Sequence, residues 1–268
     1  TVLKKLEFYS LIKILVEEKE PAAGKTDYQI VSDETELEKL SGYLSVKKEF
    51  SFCIAVDSKD SLVGIAVSAE KEKGFYMPAG HRTLTSGQQL SIENIKKHLN
   101  HLFENKNILK ITYDLKSQLT VLEKCGIAAS GGYFDIEIAS YLLSPSRKSN
   151  SLQDIVIDCL GIKKNNPAAD IENIEIEDAK KIFCENSDFI FQCKHITESK
   201  LAKKKMLPLF WDIEMPLADI LWKMEKTGIL IDEKYFKDLS SEFGAELKKF
   251  EKIIYSQADE EFNINSPK

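Results

Sequence analysis

The side chains able to do chemistry in this chain are scattered, and each small group of them has an ordinary reading beside the chemical one. His98 and His101 stand three apart on a predicted helix, a spacing that aims two imidazoles at one metal ion. No third ligand lies nearby in sequence, so they read as part of a solvated helix face. Five cysteines, at 53, 125, 159, 184 and 193, form no C-x-x-C pair and are odd in number, which argues against a disulfide framework or a zinc site and fits a reducing cytosol. Cys184 and Cys193 read as core thiols, with nothing adjacent to depress a pKa as a nucleophile needs. Lys200, Lys203, Lys204 and Lys205 form a basic run that could touch phosphates, each contact adding salt-dependent affinity. A cationic helix end favoured by the dipole accounts for the same run. The strand Phe50 to Val56, by contrast, reads as buried and carries no carboxylate.

These groups must be held by a chain of 268 residues, long enough for roughly two domains. Hydrophobic content of 43% and charged content of 30% describe an ordinary globular composition without bias toward disorder. A formal charge of -6 gives no global attraction for a polyanion, so nucleic acid would have to be met by local basic patches. No apolar run approaches a membrane span and no secretory leader opens the sequence. The ends at Thr1 and Lys268 suggest a piece of a longer protein.

Leu3, Leu6, Leu11, Ile12 and Leu15 repeat at helical spacing and predict a leader helix that stops before Pro21 and Gly24. Next come a strand over 28–31, a helix over 33–44 capped by Ser32 or Asp33, and strands over 50–56, 62–69 and 74–77, an antiparallel meander. An amphipathic helix over 91–104, a strand over 108–111 and a helix over 115–124 closed by Gly126 follow. Helices over 136–143, 152–160 and 176–204 complete a mixed α/β layer. From about Met206 the pattern becomes all-helical: a helix over 213–226 ended by Gly228, an extended piece over 229–231, and a long helix over 233–258 after the N-cap Asp232.

Three ordered segments of this tail carry a resemblance: Ile213-Glu214-Met215-Pro216-Leu217, then Met224 through Asp232, then Glu261-Phe262-Asn263-Ile264-Asn265-Ser266-Pro267-Lys268. Together they resemble the start of the thumb in family A DNA polymerases of the bacterial DNA polymerase I type. Upstream, Phe134-Asp135-Ile136 through Pro145, and Ser151-Leu152-Gln153-Asp154 through Ile162, are similar to that family's 3′-to-5′ proofreading domain. The resemblance implies a ribonuclease-H-like (DnaQ-like) exonuclease fold with a mixed sheet, followed by an all-helical thumb fragment. It divides the chain into a leader helix and linker over 1–24, an exonuclease-like domain over 25–205 and the thumb's beginning over 206–268. It further implies a bacterial cytosolic parent, active as a monomer on DNA primer-template, whose Mg²⁺-dependent nucleotidyl transfer resides beyond this chain.

Proofreading in the family uses two divalent metals held by carboxylates, one activating water and the other stabilising the leaving oxygen. Mg²⁺ demands hard oxygen ligands, so apolar or soft side chains cannot replace Asp or Glu. The family's D-x-E pair falls on Cys53 and Ala55; its N-x-x-x-D falls on Asp114 and Gln118; its Y-x-x-x-D falls on Ile182 and Asn186. The resemblance therefore implies an exonuclease fold with no catalytic residue and no metal, a platform for the polymerase that neither polymerises nor degrades DNA. An apolar infill at Cys53 and Ala55 is its simplest physical reading, since clustered buried acids without metal repel one another. Two alternatives stay open. Asp57, Asp114 and Asp188, with Glu185, could form a displaced metal site for an active Mg²⁺-dependent exonuclease; or the cleft could bind single-stranded DNA without cutting it.

Overall fold

The computed structural model describes residues 26–83, 87–128, 130–147, 149–163 and 171–266. The expected leader helix lies outside them. Its centre is a six-stranded mixed sheet of order β1-β4-β3-β2-β5-β6: β1 Asp27–Ile30, β2 Glu49–Val56, β3 Leu62–Glu70, β4 Lys73–Pro78, β5 Leu109–Thr112 and β6 Tyr133–Asp135. β2, β3 and β4 form the expected antiparallel meander, while β1 joins β4, and β5 joins β2 and β6, in parallel. The edge strand β6 escaped the sequence reading, because three residues are too few to show a period.

Alternation along β2 separates two environments. Phe50, Phe52 and Ile54 point into the main core, where Phe103 of α2 (Ile92–Glu104) meets both phenylalanine rings edge-on at 5.8 and 5.2 Å. Ser51, Cys53 and Ala55 take the other face and meet the long helix α6 (Ile176–Lys203): the Ser51 hydroxyl donates to the Ser187 carbonyl at 2.6 Å. Gly74 on β4 permits this approach, since a Cβ there would stand 2.8 Å from the Cys184 Cβ.

Local signals set the helix ends. Asp33 caps α1 (Glu34–Ser45), Ser91 caps α2 and Ser151 caps α5 (Leu152–Leu160), each side chain accepting a first-turn backbone N–H. Gly126 (φ +68°) follows α3 (Leu115–Lys124) in the left-handed region, as expected. α4 (Ile136–Leu143) starts from the buried Asp135. Lys110 on β5 is fully buried; its ammonium donates to the carbonyls of Asn105 and Ile108, and burial lowers its pKa to about 8.

After α6, a π turn at Phe210–Glu214 leads into α7 (Met215–Thr227). The expected domain boundary between 205 and 206 is not where compactness changes: the first compact unit runs to Lys226. Phe210, Met215, Ala218 and Trp222 are buried in the main core, with Phe210 4.6 Å from the Phe134 ring, so this helix is an integral part of that unit. The second unit, Thr227–Lys268, contains α8 (Glu233–Ala258), capped by Asp232 as expected and closed by the Tyr255 hydroxyl donating to the Phe262 carbonyl at 3.0 Å. Residues 229–231 form no strand.

Candidate functional site

The site's floor is built across three strands. Register sets Cys53 beside Ala66 and Ala66 beside Tyr76, with Ala55 beside Gly64 in the neighbouring row. Gly64 matters here: a Cβ at this position would lie 2.2 Å from the Tyr76 hydroxyl, so the tyrosine ring lies across the glycine toward the Ala55 row. Phe183 of α6 stacks on Tyr76 with centroids 5.9 Å apart, and Ile176, Ala179 and Cys184 close the cluster from above. Ala55, Ala66 and Tyr76 have no exposed surface.

A buried histidine finishes this arrangement. His81 Nε2 lies 2.7 Å from the Tyr76 hydroxyl and Nδ1 lies 3.2 Å from the Ile174 carbonyl. A carbonyl only accepts, so Nδ1 carries the proton and Nε2 accepts from the tyrosine, a neutral imidazole with both nitrogens used. Burial depresses the His81 pKa and raises that of Tyr76, keeping both uncharged. Sequence reasoning missed Tyr76 and His81. The glycine inside the predicted strand over 62–69 was the available signal, marking a close approach by another group.

The five positions singled out by resemblance converge on this face but do different work. Cys53 and Ala55 line the apolar cluster, and Ile182 packs against it. Gln118, half-buried on α3, accepts from the Ile54 backbone N–H at 2.8 Å, tying that helix to β2. Asn186 is buried on α6, and its Oδ1 has no hydrogen-bond partner among the described residues. As ligands for paired Mg²⁺ ions these do not fit, because the set contains no carboxylate, and of its two amide oxygens that of Gln118 is already bonded to the strand.

The displaced acids are not brought together. β2 ends at Val56, one residue before Asp57, whose carboxylate is taken up by the turn that follows and by Arg82 at 3.8 Å. Its Oδ1 accepts from the Ser61 and Lys59 backbone N–H groups at 2.8 Å, the Ser61 bond foremost in holding its pKa below the carboxylate range. Asp114 is the N-cap of α3, in the left-handed region at φ +54°. Asp188 accepts from the Tyr28 hydroxyl, the Glu72 N–H and the Gln192 amide, pinning α6 to the sheet's edge. No group of three His, Cys, Asp or Glu side chains among the described residues is placed to hold a metal ion. His98 pairs with Glu34 at 3.1 Å. Lys200, Lys203, Lys204 and Lys205 are all exposed at the end of α6, where the Lys204 ammonium donates to the Leu143 carbonyl. The other acids lie below the sheet's end: Asp135 is almost wholly buried, with its pKa raised to about 6 by desolvation, and that of neighbouring Glu137 is raised to about 7 by the same cause.

A mixed six-stranded sheet covered by helices, with helices following it, is the ribonuclease-H-like exonuclease architecture. Escherichia coli RNase D superposes with a TM-score of 0.60 at 11% identity, over 74% of this chain and 51% of its own. Within that class the resemblance is to DNA polymerase I. Residues 58–164 match the family described as DNA polymerase I, ribonuclease H-like domain, a match beginning just past β2. The DNA polymerase I of Borreliella burgdorferi is 30% identical over 90% of this chain, and that of Pseudomonas aeruginosa 25% identical over 92%. The chain spans 27% and 29% of the length of these two relatives. The POL domain of Mycobacterium smegmatis Pol1, in complex with DNA primer-template and dNTP, superposes with a TM-score of 0.65 at 20% identity, over 89% of this chain and 39% of that one. No described helix is long and apolar enough to cross a membrane.

Proposed function

We propose that this chain is the proofreading-type domain of a bacterial DNA polymerase I together with the opening of its thumb, and that its exonuclease chemistry has been lost. Its role is that of a rigid platform: the sheet and α6 hold the segment from Met206 to Lys226, and by resemblance the chain leads on into the polymerase that grips primer-template in the cytosol. Nucleotidyl transfer and its Mg²⁺ belong to that following part. One observation carries the reading. Where a proofreading site needs carboxylates facing a water-filled cleft, Cys53 and Ala55 face Tyr76, Phe183 and Cys184 in a packed apolar cluster. Such a cluster has neither the anionic oxygens nor the room for two hydrated cations and a phosphodiester.

The test is direct. A single-stranded oligonucleotide labelled at its 5′ end is incubated with the purified chain in Mg²⁺ and then in Mn²⁺. The expected result is an unchanged band. Metal-dependent shortening from the 3′ end, abolished by Asp57→Ala, would establish the displaced site and overturn the reading.

A further inference from the structure

A cavity of about 560 Å³ lies between α3, α7 and the start of β6, away from the degenerate exonuclease positions. Its size falls within the ~300–1,000 Å³ of small-molecule sites. Leu115 and Leu119 of α3, Trp211 of the π turn, and Met215 and Trp222 of α7 make its walls apolar and aromatic. The Trp222 indole N–H is donated to Thr120, so this side chain offers a ligand its ring and no donor. The charged residues of the lining, Asp219 and Lys223, are bonded to each other at 2.6 Å and present no net charge.

The polar groups come from Tyr133, which also lines the cavity. β6 is the last strand of the sheet and pairs with β5 on one side only. The Lys110 N–H donates to the Gly132 carbonyl at 3.0 Å, in a register that sets Lys110 beside Tyr133. Alternate residues of a ladder turn to the same neighbour, so Gly132 and Phe134 bond to β5 while the N–H and C=O of Tyr133 turn to the sheet's open edge. Extended backbone holds these two groups side by side, a donor next to an acceptor, and neither has a hydrogen-bond partner among the described residues. The Tyr133 hydroxyl, on a side chain 9% exposed, has none there either. An added peptide strand would need further edge residues, but β6 passes into α4 at Asp135.

We propose that this cavity binds a neutral, flat heteroaromatic ring of the adenine pattern. The exocyclic amino group donates to the Tyr133 carbonyl, the adjacent ring nitrogen accepts from the Tyr133 N–H, and Trp211, Trp222 and Met215 cover the ring.

Trp211 and Trp222 are the two tryptophans of the sequence, so tryptophan emission reports on this cavity. Adenosine titrated into the whole chain should quench that emission saturably and slow hydrogen exchange at the Tyr133 amide. Purine riboside, the same ring without the amino group, should bind about fivefold more weakly, the loss of one hydrogen bond. A single strand of deoxyadenosines separates the sources of the ring: tighter binding than adenosine assigns the site to a base of a strand, equal or weaker binding to a free nucleoside. Quenching that grows with adenosine without saturating is collisional and overturns the proposal. Equal affinity for adenosine and purine riboside, or unchanged exchange at Tyr133, overturns it as well.

Discussion

Acidic side chains stand at one end of this sheet and are absent from Phe50–Val56 of its central strand β2, and the difference is one of hydrogen-bond supply. Asp135 is almost wholly buried, yet Oδ2 accepts from the Leu115 N–H at 2.8 Å and Oδ1 from the Glu137 N–H at 2.7 Å. The backbone at the starts of α3 and α4 solvates it. On β2 the strand's own N–H groups are committed to the sheet and to Gln118, so a carboxylate at 53 or 55 would have only a metal to satisfy it. Remove the requirement for metal, and small or apolar residues become the stable choice. Buried acids persist here where the fold itself supplies donors.

The harshest way to break that comparison is to return an acid to the middle. Ala55→Glu buries a carboxyl against Tyr76 and Phe183 with no donor waiting, and should lower unfolding stability by about 3–5 kcal/mol. Denaturant unfolding with and without excess Mn²⁺ measures it. A near-neutral effect, or full rescue by the metal, would mean that the cluster still opens into a cation site.

Asp135 gives the converse measurement. Its folded pKa of about 6 lies above the ordinary 3.8, so folding favours the protonated form. The stability linked to this group is therefore present below pH 3.8 and is lost as pH rises to about 6. At about 1.4 kcal/mol per unit this amounts to about 3 kcal/mol. Asp135→Asn should flatten the wild-type decline across that interval, as read from unfolding curves at a series of pH values. Identical slopes for the two proteins would show that the backbone donors fully offset the burial.

Gln118→Ala comes next in size. It leaves the Ile54 N–H without its acceptor and frees α3 from β2, at a cost of about 1–2 kcal/mol. Gln118→Asp, whose shorter side chain falls short of that N–H, should not do better. If the aspartate variant is the more stable one in Mg²⁺, position 118 has kept a metal-binding geometry.

Much of this was legible in the sequence, for reasons that are local. Capping residues at Asp33, Ser91, Ser151 and Asp232 sit beside amphipathic runs, so the helices they begin could be read from a few neighbouring side chains. The positions Cys53, Ala55, Gln118, Ile182 and Asn186 were singled out by resemblance, from the motifs that flank them. What packs against them was not legible. Tyr76 reaches the site only through the combined registers of β4 on β3 and β3 on β2, and His81 only because Arg82 and Ile174 bring its loop to the start of α6. Asp57 was misplaced because the strand ends one residue before it and the turn's Lys59 and Ser61 N–H groups claim its carboxylate. The helix over 215–227 has an apolar stripe but no sequence mark of its destination, which is set by Thr120, far upstream, accepting from the Trp222 indole N–H, and by Phe134 packing on Phe210 just before the helix.

The finest probe of the comparison is one oxygen atom. Tyr76→Phe keeps the ring that covers Gly64 and stacks on Phe183, and deletes only the hydroxyl donated to His81 Nε2. If Tyr76 serves chiefly as filling, the loss should be about 1 kcal/mol, the cost of one unsatisfied buried acceptor. The deletion should also change how the protein responds to acid. In the wild type burial keeps His81 below its ordinary pKa, and a hydroxyl that donates to Nε2 should oppose protonation there as well. Without that donor the imidazole accepts a proton more readily, so its NMR-titrated pKa should rise in Tyr76→Phe while the sheet's amide shifts stay unchanged. A fall in the His81 pKa, or amide shifts spreading along β3 and β4, would assign the hydroxyl a part in holding the strands rather than in closing the pocket.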